Sequence, residues 1–236
     1  MEESFGILYI VSTPIGNMED ITIRALNILG KTSVIFAEDT RSALNLLNYH
    51  SIDTNLKKII SFFEGNENQR YKEVLKYLQE GIDVALISES GTPLISDPGF
   101  KLVRELVNNG IKIEAIPGPT ALISALTISG LPTNAFLFLG FLPKKESHVK
   151  KVLQQTKNSI ETLEPCKTVI MYESPHRLVK TLKLIQESFG DIEIVTAREL
   201  TKIHEEVRRE KVSLSIEHFT NHQPRGEFTI LFSLNS

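Results

Sequence analysis

The sequence predicts an α/β protein of two domains, with a mostly parallel sheet in the N-terminal domain and a mixed sheet in the C-terminal one. Short apolar runs alternate with amphipathic helical patterns through the first half, which is typical of a parallel sheet covered by helices. The run Pro117-Gly118-Pro119 interrupts the chain near its middle. Strand patterns late in the chain lie closer together, as antiparallel neighbours do. We therefore expect domains at residues 1–117 and 118–236.

Each element of the first half follows from its own pattern. Buried apolar runs predict strands at 6–11, 33–37, 58–61, 83–88 and 111–116. Amphipathic spacing predicts helices at 21–29, 44–49, 66–79 and 120–129. We expect Asp20 to cap the first of these helices. Asp97-Pro98 predicts a cap and a first-turn proline for a further helix that ends at Gly110.

The second half predicts fewer and longer elements. Apolar runs indicate strands at 136–141, 168–172, 193–197 and 227–234. A charged helix is expected at 144–164 and another helix at 175–189. No internal repeat or low-complexity segment interrupts these patterns.

Composition narrows the class of protein. A chain of 236 residues with 41% hydrophobic residues is long enough to bury a core without disulfides. The single cysteine, Cys166, fits a reducing compartment, and we expect it to be a small core residue rather than a nucleophile. A net charge of −3 disfavours a protein that coats nucleic acid, although it leaves room for a local basic patch.

The chain has the features of a cytoplasmic protein. It begins with Met1-Glu2-Glu3-Ser4, which lacks the basic start of a secretory signal. No apolar run approaches the roughly 18 residues that span a bilayer. We expect a cytoplasmic location and no contact with membranes.

The loop from Gly91 to Gly99 carries the strongest sign of a ligand site. It follows a predicted strand, and ligands of open parallel sheets bind beyond the carboxyl ends of strands. Two glycines permit unusual backbone conformations and two prolines stiffen the loop, so that its backbone groups can approach a flat or sugar-bearing ligand. The pattern fits a tight strand-to-helix turn equally well.

Several common site motifs are absent. No G-x-G-x-x-G follows a strand and no phosphate-binding G-x-x-x-x-G-K-[ST] occurs. His204-Glu205-Glu206 is not a zinc protease motif, because Arg208 stands where the second histidine would be. His218 and His222 have helical spacing without a third ligand. We expect no metal site.

Seven strings taken in order resemble one known family. They closely resemble the ribosomal RNA small subunit methyltransferase I family of the tetrapyrrole methylase superfamily, over nearly the whole chain from about Leu8 to Phe232. The strings are 13–17 (TPIGN), 37–41 (AEDTR), 91–99 (GTPLISDPG), 117–119 (PGP), 140–143 (GFLP), 172–177 (YESPHR) and 198–202 (RELTK).

The resemblance implies an activity, a cofactor and partners. It implies two α/β domains with S-adenosylmethionine in the cleft between them, a homodimer, and 2′-O-methylation of a cytidine ribose in the decoding region of 16S rRNA in the small ribosomal subunit. The implied cofactor-binding residues are Pro14, Ile15, Gly91, Thr92, Pro93, Leu94, Ile95, Ser96, Thr120, Ala121, Tyr172, Ala197 and Glu199. This chain departs from the family at Glu89-Ser90, where the family carries Asp-Ala. Many members also carry a further C-terminal helical segment, whereas this sequence ends at Ser236.

Methyl transfer to a hydroxyl needs alignment of the reacting groups and removal of the hydroxyl proton. Six residues are candidate bases: Glu38, Asp39, Glu89, Glu173, His176 and Glu199. Glu173 and His176 are the preferred pair, because Arg177 follows within one turn and suits a phosphate. The alternative is that Pro175 starts a helix and Arg177 pairs with a carboxylate across the domain interface.

The chain offers several basic side chains to RNA. Arg41, Lys144, Lys145, Arg177 and Lys202 are the predicted RNA-binding residues. Ordinary surface salt bridges, or a solvated face of a charged helix, explain the same residues. Two other functions remain open: methylation of a corrin precursor, which the first loop disfavours because it lacks a G-x-G-x-G-D pattern, and an inactive RNA-binding or assembly relative.

Overall fold

The computed structural model describes residues 5–162 and 167–234, which form two compact units, Met1–Thr120 and Ala121–Ser236. Each unit has its own five-stranded sheet, so the predicted class of two α/β domains is confirmed. Cys166 lies outside the described residues. In the described part of the chain, no helix is long and apolar enough to cross a membrane.

Unit 1 is a parallel sheet with helices on both faces. Its strands are β1 (Leu8–Val11), β2 (Val34–Ala37), β3 (Lys58–Ser61), β4 (Val84–Ile87) and β5 (Ile113–Ile116), in the order β3-β2-β4-β1-β5. Its helices are α1 (Ile23–Lys31), α2 (Thr40–Tyr49), α3 (Glu67–Gln79) and α4 (Phe100–Asn108). One core lies between the sheet and α3 and α4, the other between the sheet and α1 and α2. Burial on both faces explains why β2 and β4 are apolar throughout.

Unit 2 is built on a mixed sheet, as the sequence predicts. Its strands are β6 (Phe136–Phe141), β7 (Thr168–Glu173), β8 (Glu193–Arg198), β9 (Glu206–Lys211) and β10 (Phe228–Ser233), in the order β6-β7-β10-β8-β9. Its helices are α5 (Ala121–Ser129), α6 (Glu146–Thr162), α7 (Leu178–Phe189) and α8 (Val212–Asn221). Only β6 and β7 pair in parallel. The main core packs α6, α7 and α8 on one face, and α5 contacts β7 and β10.

Several predicted helix starts are wrong. α2 begins at Thr40 rather than at residue 44, α6 at Glu146 rather than at 144, and α7 at Leu178 rather than at 175. Thr22 caps α1 by accepting the N–H of Ala25, so the start lies beyond Asp20. The helix predicted to begin at Asp97-Pro98 begins instead at Phe100, after Gly99 at φ +124°. That glycine conformation ends the loop and sets the direction of α4.

The sequence patterns also miss β9 and α8. In β9 five of the six residues are charged, so no apolar alternation marks it as a strand. Most of its charges are paired: Arg208 pairs with Glu206 and Glu210 within the strand, and Glu206 and Lys211 pair with Arg198 and Glu193 of β8. The strand forms because β8 supplies an antiparallel partner along its full length.

Candidate functional site

Three loops meet at the carboxyl edge of the unit 1 sheet. The N–H of Thr13 donates to the carbonyl of Gly91 at 2.8 Å, and the N–H of Gly91 donates back at 3.2 Å. The Thr92 hydroxyl donates to the carbonyl of Pro119 at 3.1 Å and lies 3.0 Å from the Ser12 hydroxyl. The loops after β1, β4 and β5 therefore form one hydrogen-bonded assembly.

Glycine permits this close approach at two positions. A Cβ on Gly118 would lie 2.8 Å from the Cβ of Ser12, closer than real Cβ atoms come. Gly91 has φ +81°, and a Cβ there would lie 3.2 Å from Cγ2 of Ile15. The sequence prediction that glycine shapes this edge therefore has a steric basis.

The rest of the Gly91–Gly99 loop is strained. Leu94 has φ +74° and Ser96 has φ +68°, a region that non-glycine residues rarely occupy. Such strain persists where the surroundings enforce it and is concentrated at functional sites. The N–H of Gly99 donates to Glu67 Oε1 at 2.6 Å, and a Cβ on Gly99 would lie 2.5 Å from Cδ2 of Leu94. The end of the loop is thus fixed from α3.

The middle of this loop offers free backbone groups. Among the described residues, the N–H and C=O groups of Leu94, Ile95 and Ser96 have no hydrogen-bond partner. Ile95 and Ser96 are exposed. The loop therefore presents backbone donors and acceptors at the sheet edge, where a ligand can reach them.

The acidic residues after β2 have structural partners. Asp39 caps α2 by accepting the N–H groups of Arg41 and Ser42 at 2.7 and 3.3 Å. The hydrogen bonds from the Arg41 side chain and then from these backbone groups lower the pKa of Asp39 to about 2. A carboxylate this acidic is a poor proton acceptor at neutral pH. Glu38 accepts the N–H of Glu89 at 3.3 Å.

Arg41 is turned toward its own helix cap. Its side chain is 87% exposed, and its guanidinium pairs with Asp39 at 2.8 Å. Both partners are close to solvent, so a phosphate competes with the Asp39 carboxylate for this guanidinium.

In unit 2, Glu173 lies inside the protein at the end of β7. It is 0% exposed. Its Oε1 accepts the N–H of Ser174 at 2.8 Å, and its Oε2 accepts the Thr181 hydroxyl at 2.6 Å. The Arg177 guanidinium lies 3.3 Å from the same Oε2. Because both oxygens are occupied, this geometry favours a structural role over proton transfer.

The turn after Glu173 places Arg177 and His176 in different surroundings. Arg177 donates to the carbonyls of Leu142 and Pro143 at 2.9 and 3.0 Å, so its guanidinium is held inside unit 2. His176 is exposed on the same turn. Arg177 does pair with a carboxylate, that of Glu173, but the pair lies within unit 2 and not across a domain interface. The helix predicted to start at Pro175 begins at Leu178.

Tyr172 is connected to the start of α5. Its hydroxyl accepts the N–H of Leu122 at 3.1 Å, and its ring packs edge-on against Phe138 with centroids 5.0 Å apart. Leu122 directly follows Thr120-Ala121 in the chain. Tyr172 therefore fixes the beginning of α5, which in the chain includes Ala121 and directly follows Thr120.

The loop after β8 is the second strained segment. Glu199 and Thr201 have φ +51° and +66°. Glu199 lies against Gly226, and its Oε1 accepts from Lys202 Nζ at 3.0 Å. Ala197 is buried in β8. Of the predicted residues here, Lys202 is the most exposed, with 44% of its side chain in solvent against 22% for Glu199.

Lys144 and Lys145 lie exposed just before α6. Neither pairs with a carboxylate among the described residues. Lys150, one turn further on, pairs with Glu187 at 2.9 Å. The two lysines before the helix are therefore available to an anionic partner.

Comparison with known proteins identifies the family. The model described as Tetrapyrrole (Corrin/Porphyrin) Methylases matches residues 7–214. A Thermotoga maritima protein named ribosomal RNA small subunit methyltransferase I is 46% identical over 97% of this chain and 98% of its own length. The chain belongs to this family of tetrapyrrole methylases. Proteins of the same name from Rickettsia prowazekii and Hydrogenobaculum are 45% and 43% identical, with 78% and 95% of their lengths covered.

Solved methylases share the fold. Uroporphyrin-III-C-methyltransferase from Thermus thermophilus matches with a TM-score of 0.67 over 97% of this chain and 95% of its own. Cobalt precorrin-4 methyltransferase matches with a TM-score of 0.68, over 95% of this chain and 94% of its own. Both are 18% identical to this methylase, a level that shows the fold alone.

The methylase is an S-adenosylmethionine-dependent methyltransferase. The residues at the unit 1 edge fit this cofactor, because the free backbone groups of Leu94, Ile95 and Ser96 suit its polar ends. The space beside Gly91, which a Cβ would fill, admits close approach to the backbone. Across residues 5–162 and 167–234 there is no cluster of metal-ligating side chains.

Three residues that fix predicted site segments, one in unit 1 and two in unit 2, were not singled out from the sequence. Glu67 fixes the loop exit, Thr181 satisfies Glu173, and Arg209 donates to the carbonyls of Ile128 and Ser129 at the end of α5. Each acts across at least eight residues of sequence. No local pattern marks such partners, although Glu67 does stand in the first turn of a predicted helix.

Proposed function

We propose that this chain transfers a methyl group from S-adenosylmethionine to the ribose 2′-hydroxyl of a cytidine in the decoding region of 16S rRNA. The observation that carries this proposal is the 46% identity, over nearly the full length of both chains, to a protein named ribosomal RNA small subunit methyltransferase I. The first loop, Ser12 to Asn17, supports an RNA target because it lacks the glycine-rich G-x-G-x-G-D pattern expected of corrin methylases.

The loops of unit 1 bind the cofactor in this proposal. When bound, S-adenosylmethionine supplies a methyl group activated by its sulfonium. The residues proposed to hold it are Pro14, Ile15, the segment 91–96, Thr120, Ala121, Tyr172, Ala197 and Glu199. Leu94, Ile95 and Ser96 contribute backbone hydrogen bonds, and Tyr172 acts through Leu122 to orient the start of α5. The cleft that the resemblance implies between domains 1–117 and 118–236 stays a prediction.

His176 is the proposed proton acceptor. An alcohol is a poor nucleophile at neutral pH, so the chain must accept its proton as the methyl group transfers. His176 is exposed on a turn that Glu173 and Arg177 fix from beneath. In this proposal Glu173 supports the position of His176. This positioning role replaces the role of Glu173 as a base that the sequence suggested.

The proposed RNA contacts are ionic. Lys144 and Lys145 have no carboxylate partner among the described residues, and Lys202 and Arg41 reach solvent beside acidic neighbours. These four cations neutralise backbone phosphates. Arg177 contributes indirectly, since its guanidinium is engaged with backbone carbonyls. We also propose a cytoplasmic homodimer, which doubles the basic surface offered to RNA.

Methylation of small ribosomal subunits from a strain that lacks the modification tests the function. The expected result is one labelled methyl group, released with a cytidine whose 2′-oxygen carries it. A methyl group on a base would contradict the ribose assignment. Transfer to a corrin precursor, or a folded protein that binds no S-adenosylmethionine in calorimetry, would favour one of the two alternatives.

A further inference from the structure

Two phenylalanine rings are exposed at the carboxyl edge of the unit 1 sheet. Phe100, the first residue of α4, is 68% exposed, and Phe63, in the loop after β3, is 47% exposed. The preceding residue, Phe62, is buried and packs edge-on against Phe36. The local chain therefore buries one aromatic ring and leaves its neighbour facing solvent.

The Phe63 ring is held in place. It lies over Gly65, where an added Cβ would sit 2.7 Å from the ring carbon Cε2. The N–H of Phe63 donates to Asn66 Oδ1 at 2.9 Å, and Asn66 in turn donates to the carbonyl of Ser61 at 3.1 Å. A ring presented on such a rigid turn loses little conformational freedom when a ligand stacks on it.

The Phe100 ring stands on a frame shared with Phe63. The Arg104 guanidinium lies 5.5 Å from the Phe100 ring centroid, within cation–π range. The bond from Gly99 to Glu67 ties the residue before Phe100 to the first turn of α3. Phe63 and Phe100 thus flank two helix starts that are joined to each other and to the Gly91–Gly99 loop.

Charge around the rings is divided. Lys101 and Arg104 lie on the α4 side, and Lys101 has no carboxylate partner in the part of the chain that the structure describes. Arg104 contacts Glu105 at 3.5 Å on the surface. Exposed Glu64 lies beside Phe63. A nucleotide stacked here would direct its phosphates toward α4 and away from Glu64.

We propose that Phe63 and Phe100, the aromatic platform, stack on unpaired bases of the RNA substrate. Every base has an aromatic face, and exposed aromatic rings beside cations are the usual platform for single-stranded RNA. Two rings expose far less than the roughly 800 Å² per partner of a stable protein interface, which disfavours a second copy of the chain. The inference rests on the proposed function, since it takes RNA as the substrate.

The test compares Phe100→Leu, which removes the ring, with Phe100→Tyr, which keeps it. Phe63→Leu is the second variant. Val107→Ala is the matched control, because Val107 is 60% exposed at the other end of α4. Initial rates are measured on small subunits that lack the modification, with the subunit and S-adenosylmethionine concentrations varied separately. Calorimetry of S-adenosylmethionine binding checks that each variant is folded.

Loss of the Phe100 ring is expected to raise KM for the subunit about tenfold. KM for S-adenosylmethionine should stay unchanged. Phe100→Tyr should have the wild-type KM for the subunit. Phe63→Leu should raise this KM, as Phe100→Leu does. An unchanged KM for the subunit in both leucine variants would overturn the inference. A change of oligomeric state in Phe100→Leu would overturn it too, by assigning the surface to a second copy.

Failure of the proposed function is distinguishable. If the wild-type protein methylates no subunit, binding of an unstructured single-stranded RNA is compared between wild type and Phe100→Leu. Weaker binding by the variant would support the platform independently of the reaction. Equal binding would overturn it.

Discussion

The carboxylate of Glu67 accepts a hydrogen bond from the backbone N–H of Gly99 at 2.6 Å, joining α3 to the end of the Gly91–Gly99 loop. Gly99 has φ +124°, and the Leu94 side chain occupies the space that a Cβ on Gly99 would need. The hydrogen bond to Glu67 therefore fixes the end of a strained segment. A side chain 32 positions earlier thereby holds the loop that we assign to the cofactor.

Removal of this carboxylate should weaken cofactor binding. Because Glu67→Ala frees the loop exit, we expect KM for S-adenosylmethionine to rise about fivefold, with kcat nearly unchanged. Glu67→Gln keeps an acceptor, so its KM for S-adenosylmethionine should lie between those of wild type and Glu67→Ala. Glu80→Ala, at the other end of the same helix, is the control. Equal KM values for wild type and Glu67→Ala would show that the loop keeps its shape unaided.

A methyl group at Gly91 should disturb the loop assembly. Gly91→Ala places an L side chain at φ +81° and 3.2 Å from Ile15, so we expect a loss of about 2 kcal/mol in the free energy of unfolding. Gly110→Ala is the matched control, because Gly110 has φ +68° with nothing within 4 Å of the added Cβ. It should lose about 1 kcal/mol from backbone strain alone. Denaturant unfolding measures both, and calorimetry should show reduced S-adenosylmethionine affinity in Gly91→Ala only.

His176 and Glu173 should affect different properties. His176→Ala removes an exposed ring, so the unfolding free energy should change by less than about 0.5 kcal/mol. Its kcat should fall at least about a hundredfold if it accepts the proton. Glu173→Ala leaves the Thr181 hydroxyl and the Ser174 N–H without their acceptor, which should cost about 2 kcal/mol or more of stability. A His176→Ala enzyme with wild-type kcat would remove His176 from the reaction.

The Asp39 cap predicts a pH dependence of stability. The pKa of Asp39 in the folded protein is about 2, below its ordinary value of 3.8, so the ionised form is favoured by folding. The resulting stabilisation is complete above the unfolded pKa and is lost as pH falls from about 4 through about 2. The stability difference between wild type and Asp39→Ala should therefore shrink over that range in acid unfolding experiments. A difference that stays constant from pH 5 to pH 2 would contradict the assigned pKa.

Charge reversal tests the lysines before α6. Lys144→Glu with Lys145→Glu should weaken binding to the small subunit and reduce the salt dependence of that binding, because two phosphate contacts are lost. Affinity for S-adenosylmethionine should stay the same. Lys31→Glu with Lys72→Glu, at exposed positions in α1 and α3, controls for the same change of net charge. If the double variant binds the subunit as wild type does, these lysines lie outside the RNA interface.

Much of the fold could be predicted because its signals are local. The bounds of β3 and β6 agree with the apolar runs at 58–61 and 136–141, since burial of a strand selects its own residues. The gathering of loops after β1, β4 and β5 follows from parallel strands, whose carboxyl ends share an edge. No apolar run marks β9 in the sequence, because charged side chains, several of them paired, stand where apolar ones would be.

The sequence by itself determined the two α/β domains and the family, and it predicts the loop from Gly91 to Gly99 as a place for a ligand. The tertiary structure decided which partners individual polar side chains have. It buried Glu173 against Thr181 and turned Arg177 toward backbone carbonyls, while it left His176 in solvent. The physical reason is that apolar periodicity is a property of neighbouring residues. The partners of a polar side chain, as for Glu67 and Gly99, are set by which distant segments folding brings within hydrogen-bond distance.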